Sequence, residues 1–308
     1  MNVALSGSNG FIGSQLKSHL KSIKEINLIL LQRKKNNEMI ADQNLSYEDF
    51  FDCKLNKKID IFIHLASPNF DNEKDDILEK GIVHLTKRIL NTLPSYNCSK
   101  FIYFSTCKVY GEPSLHKKIF DENFKPSPRS DYSRAKLKAE NIIKSFSISH
   151  KINFLIYRLS FVYGVGMKSN LSYILKVIDK SLPLIVPNDN LLLSKSFLYV
   201  ESINKVIRNN ILNLNSINNE IINLSDKDPI SLGEFIKHYR DAIKSRSFIW
   251  VVPNMIFNFL CIIPYIKILL IKIYGGFEID NKKIKTILND DIIGTQEGII
   301  ELTKKKNL

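Results

Sequence analysis

Apolar runs and amphipathic stretches alternate along the first half of the chain. Residues 2–5, "INLILLQ" (26–32), "IDIFIHLAS" (59–67), "KFIYFST" (100–106) and "INFLIYRLS" (152–160) are apolar or β-branched. Each has the length and the continuous hydrophobicity of a strand covered on both faces. Between them the spacing lengthens to that of helices. "GSNGFIGSQLKSHLKS" turns through glycines into a stretch with Leu16 and Leu20 on one face, and "ILEKGIVHLTKRILNTL" (77–93) and "YSRAKLKAENIIKSF" (132–146) keep the same period. Strand and helix in alternation predict an α/β fold built on a doubly wound parallel sheet.

Past residue 160 the alternation weakens. "LSYILKVI" (171–178) and "SLGEFIKHYRDAI" (231–243) read as helices, and "SFLYV" (196–200) reads as a strand. The pattern predicts a sheet domain over 1–160 and a smaller C-terminal lobe over 161–308, interleaved with returns to the sheet near 196–225. The polar segment from Lys34 to Lys58 matches no element, and no internal repeat is visible.

The stretch "FIWVVPNMIFNFLCIIPYIKILLIKIYGG" (248–276) is apolar enough to raise the question of a membrane span. Pro253, Pro264, Lys267 and Lys272 interrupt it, so two short buried helices are the expectation and membrane contact is the disfavoured alternative.

Composition narrows the classes. With 308 residues and 44% apolar content the chain can bury a substantial core. A net charge of +13 admits nucleic acid, an anionic surface or an acidic small ligand. The lysines are dispersed and no basic segment interleaves with aromatics, so nucleic acid is not an expected partner. Cys53, Cys98, Cys107 and Cys261 have no C-x-x-C spacing, which argues against a disulfide framework or a zinc site and fits a reducing cytoplasm. "MNVALSGSNGFIG" reads as a first strand rather than a secretion signal. The histidines lack metal-ligand spacing and no metal is expected; His64 reads as a packed core or cofactor-side residue. Cys107 reads as a small buried side chain.

Two clusters carry candidate chemistry. Gly7, Gly10 and Gly13 lie between the first strand and the first helix, where backbone N–H groups and the helix N-terminus can hold a pyrophosphate. The spacing is a variant of the usual dinucleotide fingerprint. At the end of the second strand an acidic residue would hold the ribose hydroxyls of NAD, and a basic one would suit the phosphate of NADP. That place reads "QRKK", with Arg33 and no Asp or Glu from Ile26 to Asn37. The expectation is therefore NADP, with NAD as the alternative.

The second cluster is "DYSRAKLKAE" (131–140), which sets Tyr132 and Lys136 one helical turn apart. An ammonium beneath a phenol favours the phenolate and lowers its pKa from ~10. Such a tyrosine can pass a proton to or from a sugar hydroxyl while a nicotinamide gives or takes hydride. Tyr-x-x-x-Lys alone is common by chance. Its company here is "STCKVYGE" (105–112), which brings the Ser105 and Thr106 hydroxyls to the carboxyl end of a strand.

Together these residues resemble the extended short-chain dehydrogenase/reductases, in the NAD-dependent epimerase/dehydratase branch, over most of the chain. "GSNGFIG" is similar to that family's cofactor loop and "HLAS" (64–67) to its fourth-strand motif, which implies a Rossmann-type fold with Gly7, Gly10, Phe11, Ile12, Gly13, Leu65, Ala66 and Ser67 at the dinucleotide. "STCKVYG" resembles the catalytic Ser/Thr segment, with Thr106 at the active hydroxyl, and Tyr132 and Lys136 fall on the catalytic pair, which also contacts the dinucleotide. "YRLSFVYGVG" (157–166) and "INLSDKDPISLGEF" (222–235) resemble later blocks, and "SKSFLYVESI" (194–203) resembles a motif whose basic residue, here Lys195, contacts substrate phosphate. Phe161, and Gly81 or Ile82, stand where the family often has asparagine.

The resemblance implies an enzyme acting at carbon 4 of a nucleotide-diphosphate sugar. The tail from Val252 to Leu288 is similar to members from bacterial polysaccharide clusters, which points to a UDP-N-acetylhexosamine 4-ketoreductase in polysaccharide biosynthesis. A UDP-sugar 4-epimerase with tightly bound NAD is the alternative. A noncatalytic dinucleotide-sensing or RNA-associated protein of the same fold is the rival from another class. Whether the chain forms a homodimer is left open.

Overall fold

The five apolar runs and two further segments pair as strands: β1 (Asn2–Ser6), β2 (Asn27–Gln32), β3 (Gln43–Ser46), β4 (Ile61–His64), β5 (Lys100–Thr106), β6 (Asn153–Leu159) and β7 (Glu220–Leu224). The computed structural model describes residues 1–33, 41–68, 74–187, 193–212, 217–289 and 291–306. The strands form one sheet in the order β3-β2-β1-β4-β5-β6-β7, and the pairings from β3 through β6 are parallel. The expected doubly wound parallel sheet is present. Chain order reverses between β1 and β4, the place where ligands bind in open sheets of this kind, at the carboxyl ends of the strands.

Contact density divides the chain into two units. The first holds Met1–Gly111, Lys125–Leu159 and Ile203–Ile222; the second holds Glu112–Phe124, Ser160–Ser202 and Asn223–Leu308.

In the first unit, Ala4, Ile29, Phe62, Phe101 and Ile156 point from adjacent strands into one core with Ala135, Ala139 and Ile143. Two helices carry the candidate residues: α1 (Phe11–Lys21), entered directly from β1 through the glycine turn, and α2 (Asp131–His150). Ser130 starts α2 with a reciprocal cap, accepting from the Ser133 N–H at 3.2 Å while its own N–H donates to the Ser133 hydroxyl at 3.1 Å. The predicted helix over 77–93 is a composite. α-Helical turns at Asp75–Leu78 and Leu85–Thr92 flank a π-helical turn at Glu79–His84. The Thr86 hydroxyl donates to the Ile82 carbonyl at 2.6 Å within that irregular stretch, and such single-turn bulges break the 3.6-residue period.

The polar segment that the pattern left unassigned holds β3 and a short helix, Tyr47–Phe51, capped by Ser46 accepting from the Asp49 N–H at 3.0 Å. A four-residue edge strand with polar neighbours carries too little hydrophobic signal to be read from sequence. Lys34 and Lys35 of the "QRKK" stretch lie outside the described residues.

The second unit is built from short paired strands, with Phe161–Tyr163 beside Phe197–Tyr199 and Leu184–Pro187 beside Ile249–Val252, both parallel. Its core is aromatic: Phe235 packs edge-on to Tyr163 at 5.1 Å and lies 4.7 Å from Phe197. The stretch 248–276 contains the two short helices expected, α3 (Asn254–Leu260) and α4 (Pro264–Tyr274), with Pro264 in the first turn of α4. Their expected burial does not hold, because no residue of α4 is buried. A helix that is apolar on every side cannot be placed by an amphipathic stripe, so sequence pattern misjudges which face packs. No helix among the described residues is long and apolar enough to cross a membrane.

Candidate active site

The glycine loop joins β1 to α1. Gly7 has φ +79°, a left-handed conformation that suits glycine, and a Cβ there would lie 2.5 Å from the Ala66 nitrogen. A Cβ on Gly13 would lie 2.0 Å from the Gly7 carbonyl oxygen. The loop is thus pressed against the Leu65–Ala66 segment that leaves β4 and against the start of its own helix. Gly10 is the N-cap of α1 and offers no side chain to it, and the first turn carries no acidic residue. The orphan N–H groups and positive dipole end of α1 are left available to an anion. The Ser8 hydroxyl is buried beside this turn with no hydrogen-bond partner.

Behind the loop, His64 at the end of β4 is buried between two hydroxyls. Ser6 Oγ lies 2.7 Å from Nδ1 and Thr86 Oγ1 lies 3.1 Å from Nε2. Thr86 gives its one hydroxyl proton to Ile82, so it accepts from Nε2–H and Ser6 donates to Nδ1. Burial, followed by the charge of Lys136, pushes His64 down to about 3. The ring is neutral at working pH and serves to fix the carboxyl ends of β1 and β4, a core role rather than a metal one.

One face of α2 carries Tyr132, Lys136 and Glu140 at successive turns. The Lys136 Nζ lies 5.8 Å from the centre of the Tyr132 ring and 4.8 Å from that of Tyr103, and it donates to the Phe104 carbonyl at 2.9 Å. Tyr132 is half-buried and Lys136 fully so. Burial pulls Lys136 down to about 7, against the Glu140 carboxylate, which pulls it up. Thr106, two residues beyond Phe104, closes β5 and accepts from the Lys108 N–H at 3.3 Å as the cap of the short helix Cys107–Tyr110. The predicted pair and the predicted hydroxyl are therefore brought to the same end of β5.

Glu140 and Arg158 escaped the sequence reading. The Ser105 hydroxyl donates to Glu140 Oε1 at 2.5 Å, while Arg158 donates from Nε to Oε1 at 3.1 Å and from Nη2 to Oε2 at 2.6 Å. Ser105 and Arg158 are register partners on β5 and β6. The signal for Glu140 was its place four residues after Lys136; Arg158, inside an apolar strand, reads as a partner only once the strands are paired.

Among the remaining candidates, Phe11, Ile12, Leu65, Ala66 and Ser67 are half-buried around the glycine loop and the exit from β4. Arg33 is exposed just past β2, and its charge reaches Tyr47. Burial pushes the Tyr47 phenol up to about 12, opposed by a hydrogen bond shared with the Ser6 side chain and by Arg33. In the second unit, Lys195 is buried; its Nζ donates to the carbonyls of Lys272 at 3.2 Å and Ile273 at 2.6 Å and lies 5.3 Å from the Phe161 ring centre. Cys107 is buried, as expected of a small packing residue.

The model of the NAD dependent epimerase/dehydratase family matches residues 3–225. The dTDP-D-glucose 4,6-dehydratase of Dictyostelium discoideum is 28% identical over 236 residues, 65% of this chain and 53% of its own length. The chain thus spans about half the length of that relative. The UDP-glucose 4-epimerase of Vibrio cholerae is 24% identical over 270 residues, 82% of this chain and 78% of that protein. The crystal structure of UDP-glucuronic acid 4-epimerase from Bacillus cereus, in complex with NAD, superposes with a TM-score of 0.78 at 19% identity, covering 100% of each chain, a likeness of fold. With the glycine loop, Thr106, Tyr132 and Lys136 all inside the matched residues, the chain belongs to the NAD-dependent epimerase/dehydratase family of extended short-chain dehydrogenase/reductases.

Proposed function

We propose that the protein is a nicotinamide-dependent enzyme that acts at carbon 4 of a nucleotide-diphosphate sugar, reducing the 4-keto form of a UDP-linked N-acetylhexosamine with NADPH. The observation that carries this reading is the stacking of Lys136 under Tyr132 on α2, with Lys136 tied to Phe104 two residues before Thr106.

The loop residues fit a dinucleotide. Gly7 and Gly13 leave no room for a Cβ, α1 starts without a side-chain cap, and the buried Ser8 hydroxyl lacks a partner. These backbone N–H groups and Ser8 would hold the pyrophosphate, with Phe11, Ile12, Leu65, Ala66 and Ser67 around it. When bound, the nicotinamide supplies or accepts the hydride. Tyr132 gives its phenolic proton to the sugar O4 and the Thr106 hydroxyl orients that oxygen. Lys136, titrating near 7, favours the phenolate when protonated and orients the cofactor ribose. Arg33, exposed where an acid would bind ribose hydroxyls, supports NADP. Lys195 is the candidate for substrate phosphate, with two of its three N–H groups given to the carbonyls of Lys272 and Ile273.

A second reading, 4-epimerisation of a UDP-sugar with retained NAD, is supported by the names of the Vibrio cholerae relative and of the Bacillus cereus structure. The test is to mix the purified protein with UDP-4-keto-6-deoxy-N-acetylglucosamine and NADPH, and separately with UDP-N-acetylglucosamine alone. Stoichiometric NADPH loss in the first mixture supports reduction. Interconversion of UDP-sugars without it supports epimerisation, and no reaction in either mixture overturns both.

A further inference from the structure

The second unit exposes large apolar side chains along β-strand Ile249–Val252, α3, the turn that follows it, and α4. Trp250, Met255, Phe259, Ile262, Tyr265 and Ile268 are between 56% and 84% exposed. Globular surfaces scatter single apolar side chains, whereas this many large ones exposed within residues 250–268 mark an interaction site. α4 is held to its unit near its C-terminal end: the Tyr274 hydroxyl donates to the Ile185 carbonyl at 3.2 Å, and Lys195 donates to the carbonyls of Lys272 and Ile273. With no buried residue along its length, α4 presents its apolar sides outward.

Charge selects the occupant. From Lys244 to Phe277 the chain has Lys244, Arg246, Lys267 and Lys272 and no Asp or Glu. A second copy placed across this face by a two-fold axis would set these cations against themselves with no acid from the same segment to answer them. An anionic bilayer answers them and the apolar side chains together. Trp250 and Tyr265 are the amphipathic aromatics that settle at the level of lipid headgroups, and Lys267 and Lys272 can lay their stems along lipid while keeping the ammonium at the interface. α4 has 11 residues, about 16 Å of helix against a hydrocarbon core of about 30 Å. It can lie in the interface and cannot span.

We propose that the face formed by Ile249–Val252, α3 and α4 docks the protein on the surface of an anionic lipid bilayer. The mode is that of an interfacial helix pair, apolar side chains in the headgroup boundary and lysines at the phosphates.

Trp250 is the one tryptophan of the chain and lies within the proposed face, so the unmodified full-length protein reports its own docking. Its emission is followed as vesicles of phosphatidylcholine with phosphatidylglycerol, or of phosphatidylcholine alone, are added. The expected result is a blue shift and quenching by brominated lipid, with partitioning to the anionic vesicles roughly tenfold or more stronger than to neutral ones and weakening as salt rises. Tyr265→Glu with Ile268→Glu, both at exposed positions, should abolish flotation with anionic vesicles at an unchanged melting temperature. Unchanged Trp250 emission at saturating anionic lipid overturns the proposal whether or not that variant folds, as does equal partitioning to both vesicles. Sedimentation equilibrium without lipid is the third arm. A wild-type dimer that the double variant dissociates would assign the face to a second copy and overturn the lipid assignment, and an unaltered oligomeric state upholds it.

Discussion

Glu140 grips Arg158 at two points inside the first unit, Nε to Oε1 at 3.1 Å and Nη2 to Oε2 at 2.6 Å, with both side chains at most 2% exposed. The pair joins α2 to β6, and through Ser105 to β5. It therefore holds the helix bearing Tyr132 and Lys136 against the strand ending in Thr106.

Removing one partner should be costly, because the other charge stays buried without compensation. Glu140→Gln should lose about 3–5 kcal/mol of stability in urea unfolding. The double replacement Glu140→Leu with Arg158→Met should lose less than either single change. A Glu140→Gln protein as stable as wild type would show that the pair does not hold the two elements together.

Lys136 predicts a pH dependence of stability. Its ordinary value is 10.5 and burial holds it near 7 in the folded chain. Between these values the unfolded chain binds more protons than the folded one, so stability rises with pH across about 7 to 10.5 and its contribution levels off below 7. Urea unfolding at a series of pH values should show this rise in wild type relative to Lys136→Met. Identical slopes in the two proteins would contradict the buried, depressed amine.

Tyr132→Phe removes only the phenolic oxygen from a half-buried ring. Turnover should fall by about 10²–10⁴-fold, while the dinucleotide affinity, read by titration calorimetry, stays within a few-fold of wild type. Near-normal turnover would remove Tyr132 from the role of proton donor.

The three loop glycines should not be equally sensitive. A Cβ at Gly13 meets backbone at 2.0 Å and one at Gly7 at 2.5 Å with φ +79°, whereas one at Gly10 meets the Gly7 oxygen at 3.3 Å. Gly13→Ala and Gly7→Ala should lower the melting temperature clearly more than Gly10→Ala. The reverse order in differential scanning calorimetry would mean that the loop does not pack as described.

Arg33 bears on cofactor choice. If it meets the extra phosphate of NADP, Arg33→Ala should lower kcat/KM for NADPH by about tenfold or more and leave that for NADH little changed. Equal losses with both cofactors would take Arg33 out of the discrimination.

Much of this protein is set by local pattern. Buried strands need continuous apolar runs, and α2 needs its cap at Ser130, so β1, β2, β4, β5, β6 and the helices α1 and α2 are legible from residue order alone. The helical period also sets Lys136 one turn after Tyr132, and the chain order places three glycines between β1 and α1. Those relations span at most seven residues, and local geometry determines them.

What lies further apart is decided by packing. The short edge strand β3 exists because β2 offers it a free ladder and leaves no clear hydrophobic period of its own, and the π-helical turn at Glu79–His84 lies inside a stretch whose sequence reads as an ordinary helix. Glu140 meets Arg158 and Ser105, and His64 meets Ser6 and Thr86, only after parallel strands bring residues 18 to 58 positions apart into register. The exposure of α4 has the same origin. An apolar sequence states that a helix avoids water, and only the tertiary structure shows that its own core is not what covers it.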